Sequence, residues 1–356
     1  MNLFPEKKKI FFYIAIPMNY AVLRPIYEVL KKDERLSIYF TFRFLEKKSE
    51  RKAYTLFDDL PREKRIIKKI ARKMKFDVLL CCDFGFDREK IPVKIHAFHG
   101  VSFRNSTVIG KIKKFDKLFL AGPYMKRYIE EKGILPQDDE RMVMTGVPKL
   151  DALKNGGFRK DDILDELGLD PSLPTILYAP THSINSSVYL YGKELLKYMA
   201  GRKVNFLIKL HDLLFDPARN DIDWRGVINE MKGENTRLLE GYDIIPYMCA
   251  SDILISDASS VANEFTLLDR PIIFLDSPEL LKSYEKSADL DTWGRKGGEV
   301  VRNMEELGSA LDKAINFPGE KSSVRKSIAS DLFANFGNSA QCAADNIYEY
   351  LGLEKA

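Results

Sequence analysis

Residues 177–183 read LYAPTHS, and the fold turns on how that stretch ends. Leu177 and Tyr178 suit a buried β-strand, Pro180 stops the ladder, and Thr181, His182 and Ser183 follow at once. NFLIKLHD (205–212) repeats the pattern, its apolar run ending on Lys209 and His211. DILISDASS (252–260) repeats it again with Ser256, Asp257, Ser259 and Ser260. Three strands in one half of the chain thus finish in side chains suited to phosphate. Ligands of open parallel sheets sit beyond the carboxyl ends of the strands, which makes this an α/β reading.

Working outward, KIFFYIAIP (9–17), LSIYFTF (36–42), FDVLLCCDF (76–84), VKIHAFHG (93–100) and FDKLFLAG (115–122) are further short apolar runs. They alternate with helical patterns at VLRPIYEVLKKD (22–33), PREKRIIKKIARKMKF (61–76) and PYMKRYIEEKG (123–133). In the helix expected over 61–76, Ile66, Ile67, Ile70 and Met74 share one face. Gly, Pro and charge concentrate over 151–174, which marks a junction. A second series follows, through TILYAP, VNFLIKL, TRLLEG, DILISD, the helix SVANEFTLLD and PIIFLD. The expected architecture is two doubly wound Rossmann-like domains facing a cleft. The first covers 1–155 on the acceptor side and the second 156–335 on the nucleotide side, and a final helix over 336–356 packs back on the first.

Bulk composition excludes several classes. With 356 residues, 45% hydrophobic and 30% charged, the chain is an ordinary globular one, too long for a single core. A net charge of +4 does not call for nucleic acid. The four cysteines have neither metal nor disulfide spacing, and Cys81–Cys82 read as part of a buried strand. MNLFPEKKK leads straight into a strand, and no apolar run nears the roughly 20 residues of a membrane helix, so a cytoplasmic protein is expected. From Arg43 to Lys75 there are thirteen Lys and Arg against five Asp and Glu. That stretch is either a solvated face or a contact with anionic lipid at the inner face of the membrane.

ISDASSVANEF (255–265) carries the strongest local chemistry. A strand ends, a helix begins, and serine hydroxyls join the unpaired N–H groups there, which suits a phosphate; the plain alternative is a serine that only caps the helix. Glu264, four residues beyond Ser260, is placed to accept from a ribose diol. In HAFHG (96–100), His99 sits at a strand exit before Gly100 and is the candidate general base. No carboxylate has ligand spacing to the histidines, so neither metal nor cofactor is expected. AIPMNYA occupies the place of a dinucleotide-binding glycine loop, and no P-loop or G-x-S-x-G is present.

In register, FHGVSFRN, TGVPKLDAL, LYAPTHS, IKLHD and SDASSVANEFTLLDRPIIFLD resemble the CDP-glycerol glycerophosphotransferases of teichoic-acid and capsule synthesis, over about residues 95–276. The resemblance implies a GT-B fold. It also implies transfer of glycerol phosphate, or a related alditol phosphate, from a CDP-activated donor to a polymeric or lipid-linked glycan hydroxyl, releasing CMP. It makes His99 and His211 the essential histidines and Glu264 the acidic residue of the donor helix. Thr181, Ser256, Asp257, Ser259 and Ser260 match its donor-phosphate motifs. The family commonly has Trp-Arg where this chain has His182–Ser183, so His182 is assigned with Lys209 to the donor phosphates. VSFRN likewise departs from the family's usual continuation of HG. Two other readings stand beside this one: a GT-B glycosyltransferase or epimerase using a UDP-sugar, and a silent nucleotide-binding scaffold.

Overall fold

Runs that are apolar on both faces can be buried only in parallel sheets covered by helices. The computed structural model, describing residues 6–42, 60–84, 90–101, 110–218, 220–283 and 295–355, has two such sheets. One contains β1 (Lys8–Ile14), β2 (Leu36–Phe42), β3 (Val78–Cys81), β4 (Val93–Ala97), β5 (Lys117–Leu120) and β6 (Met142–Met144) in the order β2-β1-β3-β4-β5-β6. The other contains β7 (Thr175–Tyr178), β8 (Asn205–Ile208), β9 (Thr236–Leu238), β10 (Ile253–Ser256), β11 (Ile272–Leu275) and β12 (Glu299–Val301). Its order is β12-β11-β10-β7-β8-β9, so strand order reverses between β7 and β10. The chain passes from one compact unit to the other after Asp151 and returns after Leu332.

The first unit is built on aromatic packing. Phe12 stacks on Phe40 at 4.7 Å, and Tyr27 of the helix Pro17–Leu30 meets Phe40 edge-on at 5.1 Å. The turn into that helix is closed by Asn19, whose Oδ1 accepts from the N–H groups of Ala15 and Ile16 at 3.0 and 3.1 Å. Those amides are thereby used internally, where a glycine loop would offer them to phosphate. Cys81 and Cys82 are buried in this sheet, and burial pushes the Cys81 thiol up to about 12. His96 is also buried, boxed by Phe84, Phe98 and Phe115. Desolvation lowers it to about 3, so it stays neutral.

The C-terminal helix Ser339–Leu351 belongs to the same unit and contributes Ala343, Ala344, Ile347 and Tyr348 to its core. Two residues of TGVPKLD seat it. The Asp151 carboxylate accepts from the N–H groups of Gly337, Ser339 and Ala340 at 3.0, 3.0 and 2.8 Å, capping the helix start. Gly146 has φ of +85°, and a Cβ there would overlap the Ala334 carbonyl oxygen and Ser339 Oγ. Gly146→Ala is therefore expected to cost roughly 2–4 kcal/mol. Gly133→Ala is the control, since it shares a positive φ but has nothing within 4 Å. Thermal unfolding of the two variants should separate strain alone from strain plus collision.

The helix expected over 61–76 is not formed. Arg62–Lys64 is one 3-10 turn, Arg65 makes a parallel bridge to Phe40, and only Lys68–Ala71 is helical. The reason is the open edge of β2. Its Phe40 carbonyl takes the N–H of Ile66 at 2.8 Å, and Thr41 Oγ1 donates to the Ile66 carbonyl at 2.6 Å. Edge pairing outweighs the helical pattern. Ile67 and Ile70, from the apolar face of the expected helix, are 57% and 47% exposed. Arg43, Lys47, Lys48, Arg51 and Lys52 of the basic stretch lie outside the described residues, as does SFRN (102–105).

Candidate functional site

In the second unit β10, β7 and β8 are adjacent, so their three polar ends come together at the point where strand order reverses. A crevice at such a point is the usual ligand position of an open α/β sheet. Asp257 organises it. Fully buried beyond β10, its Oδ1 accepts from Thr181 N at 2.8 Å and Ala258 N at 2.6 Å. Its Oδ2 accepts from the N and Oγ of Ser187, both at 2.9 Å. Ser256, also buried, donates to the Ala179 carbonyl at 2.7 Å. Both side chains tie the β7 loop to the end of β10, and neither is turned to solvent.

Around this tie stand the other polar groups of the strand ends. Ser259 and Ser260 are half-buried at the start of the helix Ser260–Phe265, where Ser259 Oγ accepts from Val261 N at 3.4 Å. Glu264 is 1% exposed, one turn further in. Thr181 is 7% exposed and its Oγ1 is buried with no hydrogen-bond partner. Lys209 is 9% exposed; its Nζ donates to the Leu210 carbonyl at 3.1 Å and lies 3.7 Å from Asp212. Desolvation depresses that ammonium below the usual lysine range, with Asp212 opposing. With the Leu210 carbonyl and Asp212 as partners, the ammonium keeps donor capacity for a further anion.

His182 and His211 face each other with ring centroids 4.8 Å apart and an interplanar angle of 30°. His211 Nδ1 accepts from Leu213 N at 3.2 Å. That bond fixes the tautomer: the neutral ring carries its hydrogen on Nε2 and presents a donor. Desolvation lowers the His211 pKa, with His182 acting in the same direction and Asp212 against it.

His99 lies in the first unit, two residues beyond β4 and exposed. Desolvation lowers its pKa; Asp83, two residues beyond the neighbouring β3, opposes this, and Lys149 adds to it. The ring therefore favours the free base at neutral pH while remaining open to a substrate proton. The sequence singles out neither residue: Asp83 lies just beyond β3, and Lys149 stands in the 3-10 turn Pro148–Leu150 within TGVPKLDAL.

Arg295 stands in no motif of the sequence. Its Nη2 donates to Asp276 Oδ1 at 2.7 Å, just beyond β11, while its Nη1 is buried without a hydrogen-bond partner. The only signal was the polar end of PIIFLD. Among the described residues no group of three or more His, Cys, Asp or Glu could hold a metal ion.

Comparison with known proteins bears on this geometry. The chain is 27% identical over 202 residues to the teichoic acid glycerol-phosphate primase of Bacillus spizizenii, covering 54% of this chain and 45% of that protein. It is 22% identical over 246 residues to a UDP-N-acetylglucosamine--N-acetylmuramyl-(pentapeptide) pyrophosphoryl-undecaprenol N-acetylglucosamine transferase of Phocaeicola vulgatus, covering 67% and 60%. The chain thus spans about half the length of these curated relatives. Among solved structures, a variant of the wall teichoic acid polymerase TagF soaked with CDPG superposes with a TM-score of 0.72 at 18% identity, covering 98% and 90%. The S. aureus MnaA–UDP structure gives 0.64 at 14%, covering 98% of each chain. These likenesses show the fold, two doubly wound α/β units of the GT-B type. The profile of the CDP-Glycerol:Poly(glycerophosphate) glycerophosphotransferase family matches residues 82–351, and the chain belongs to that family.

Proposed function

We propose that this protein is a transferase moving glycerol phosphate, or a related alditol phosphate, from a CDP-activated donor to a hydroxyl of a cell-surface polymer or lipid-linked glycan, with release of CMP. The observation that carries the reading is the meeting of three polar strand ends at the reversal point of the second sheet, in a chain of this family. The acceptor hydroxyl attacks the phosphorus bearing the alditol, and His99 takes its proton. His211 donates from Nε2 to the pyrophosphate, and Thr181 Oγ1, His182, Lys209 and the hydroxyls of Ser259 and Ser260 complete its ligands. Such fixed donors stabilise the charge that develops on the leaving CMP. Ser256 and Asp257 serve the donor through the loop they fix, and Glu264 is assigned to the ribose.

The similarity to a UDP-bound structure and to a UDP-sugar transferase favours one second reading, a UDP-sugar donor on the same crevice. Calorimetry with CDP-glycerol and UDP-N-acetylglucosamine decides between them. CDP-glycerol should bind more tightly, and Ser259→Ala with Ser260→Ala should weaken it by about tenfold, the loss of one or two hydrogen bonds to a charged group. Unchanged affinity in the double variant would move the phosphate site elsewhere.

The exposed Ile67 and Ile70 stand beside Lys68, Lys69, Arg72 and Lys73, none of which has a carboxylate partner among the described residues. This is the chemistry of an anionic membrane surface, where each basic residue contributes about 1 kcal/mol at best, within a Debye length of about 8 Å. No helix of the described residues is long and apolar enough to cross a membrane. Vesicles containing anionic lipid should bind the protein and release it as salt rises. Charge reversal of Lys68, Lys69 and Arg72 should abolish most of that binding, and Ile67→Ser with Ile70→Ser should reduce it. Equal binding by all forms would make the patch a solvated face.

A further inference from the structure

The first sheet has a reversal point of its own. Its order β2-β1-β3-β4-β5-β6 turns between β1 and β3, which makes the ends of those strands a ligand position. Asn19 decides what the β1 exit can offer there. Its Oδ1 takes the N–H groups of Ala15 and Ile16, which puts the carboxamide inside the turn that starts the 14-residue helix Pro17–Leu30. Nδ2, on the same carboxamide, is buried in that turn with no hydrogen-bond partner, and the whole residue is 0% exposed. A buried amide donor left unpaired is rare and calls for a reason. Ile16, in the same turn, is 48% exposed, so the turn reaches solvent. Two further features favour an anion. The helix directs the positive end of its dipole at the turn. The 3-10 turn Pro148–Leu150 packs against that helix, and its Lys149 acts electrostatically on Cys82 and His99, so its charge is felt at the ends of β3 and β4. Asp83 acts on the same two groups with the opposite sign. The edge is therefore no general attractor of anions, and recognition turns on the Asn19 donor.

We propose that the turn between β1 and the helix Pro17–Leu30, with Asn19 Nδ2 and the Lys149 ammonium as donors, binds a phosphate carried by the acceptor, so that the preferred acceptor is itself a phosphodiester. This rests on the transferase reading above. β1 and β4 stand two places apart in the sheet, about 10 Å at the usual strand spacing. The phosphate recognised is therefore about that far along the acceptor from the hydroxyl that meets His99.

Calorimetry with bis(glycerol) phosphate, with no nucleotide present, reads the site without turnover. Glycerol is the neutral control and inorganic phosphate the free anion. Wild type should bind the diester at least about tenfold more tightly than inorganic phosphate, and glycerol not measurably. Asn19→Asp keeps an acceptor for the N–H groups of Ala15 and Ile16 but puts a negative oxygen where the donor was. It should keep the turn and lose at least about tenfold in diester affinity, the worth of a hydrogen bond to a charged group. Lys149→Gln should lose about threefold, and it decides the matter if Asn19→Asp does not fold. CDP-glycerol affinity should stay within about twofold of wild type in both, because the proposed donor ligands belong to the second unit. Unchanged diester affinity in Asn19→Asp, or in Lys149→Gln where Asn19→Asp does not fold, would overturn the proposal. So would inorganic phosphate bound as tightly as the diester, or a wild type that does not bind the diester. If the diester binds and depends on Asn19 while CDP-glycerol yields no CMP with any acceptor, the donor reading falls and the site stands. If CMP is released with a neutral acceptor and the diester does not bind, the site falls and the transferase reading stands.

Discussion

His99→Ala should lower the transfer rate by about 10²–10⁴-fold, the usual contribution of a general base, while leaving the affinity for CDP-glycerol within about twofold of wild type. The split follows from where the residue stands. His99 lies beyond β4 of the first sheet, whereas every proposed donor ligand lies beyond the end of β7, β8 or β10 of the second. Desolvation lowers its pKa, so the base form should already dominate at neutral pH. The rate should then rise along an acid limb centred below the ordinary histidine value of about 6.5 and level off above it. His99→Ala should remove that limb together with the rate. Single-turnover rates and equilibrium binding of the same preparation check the two halves. A well-folded His99→Ala protein with near-normal rate would end the role of base.

Asp257→Ala should be the most damaging single change in the second unit. The carboxylate is fully buried and accepts from Thr181 N, Ala258 N, and both N and Oγ of Ser187. Its removal strands these donors without water, at a cost on the order of 3–5 kcal/mol. Asp257→Asn keeps the shape but turns an NH₂ toward N–H donors, and should cost about half as much. Donor binding should weaken in both variants, because the loop bearing Thr181 and His182 loses its anchor. Urea unfolding midpoints report the first effect and calorimetry the second. A midpoint for Asp257→Ala within about 1 kcal/mol of wild type would show that the loop is held by something else.

Most of the architecture was legible because buried parallel strands announce themselves. KIFFYI, VLLC and ILIS are apolar on both faces, and nothing but a covered sheet accommodates them. The three-residue strands Met142–Met144 and Glu299–Val301 were not identified, being too short to show a period. Residues 61–76 misled because a stripe of Ile66, Ile67, Ile70 and Met74 records helical spacing but says nothing of the unpaired edge of β2, which takes the Ile66 N–H for itself.

The candidate site was legible in its residues more than in their duties. The strand-end pattern picked out Thr181, His182, Lys209, His211, Ser259 and Ser260, all of which the second unit gathers at neighbouring strand ends. A motif cannot say which way a carboxylate turns. Asp257 matches a phosphate motif yet points inward, and Glu264 shares a face with Ser260 that the helix buries. Gly146 and Asp151 of TGVPKLD look like site residues and prove to be the seat of the C-terminal helix. The His211 tautomer depends on the Leu213 backbone, which no side-chain pattern records.

The most direct test of the account is the nucleotide released in an acceptor-dependent donor screen, with CDP-glycerol, CDP-ribitol and UDP-sugars offered in turn to the protein and a teichoic-acid or lipid-linked acceptor analogue. CMP should appear in step with alditol phosphate transferred, with no UDP or UMP above background. UDP released from a UDP-sugar, with no CMP from any CDP-alditol, would contradict it.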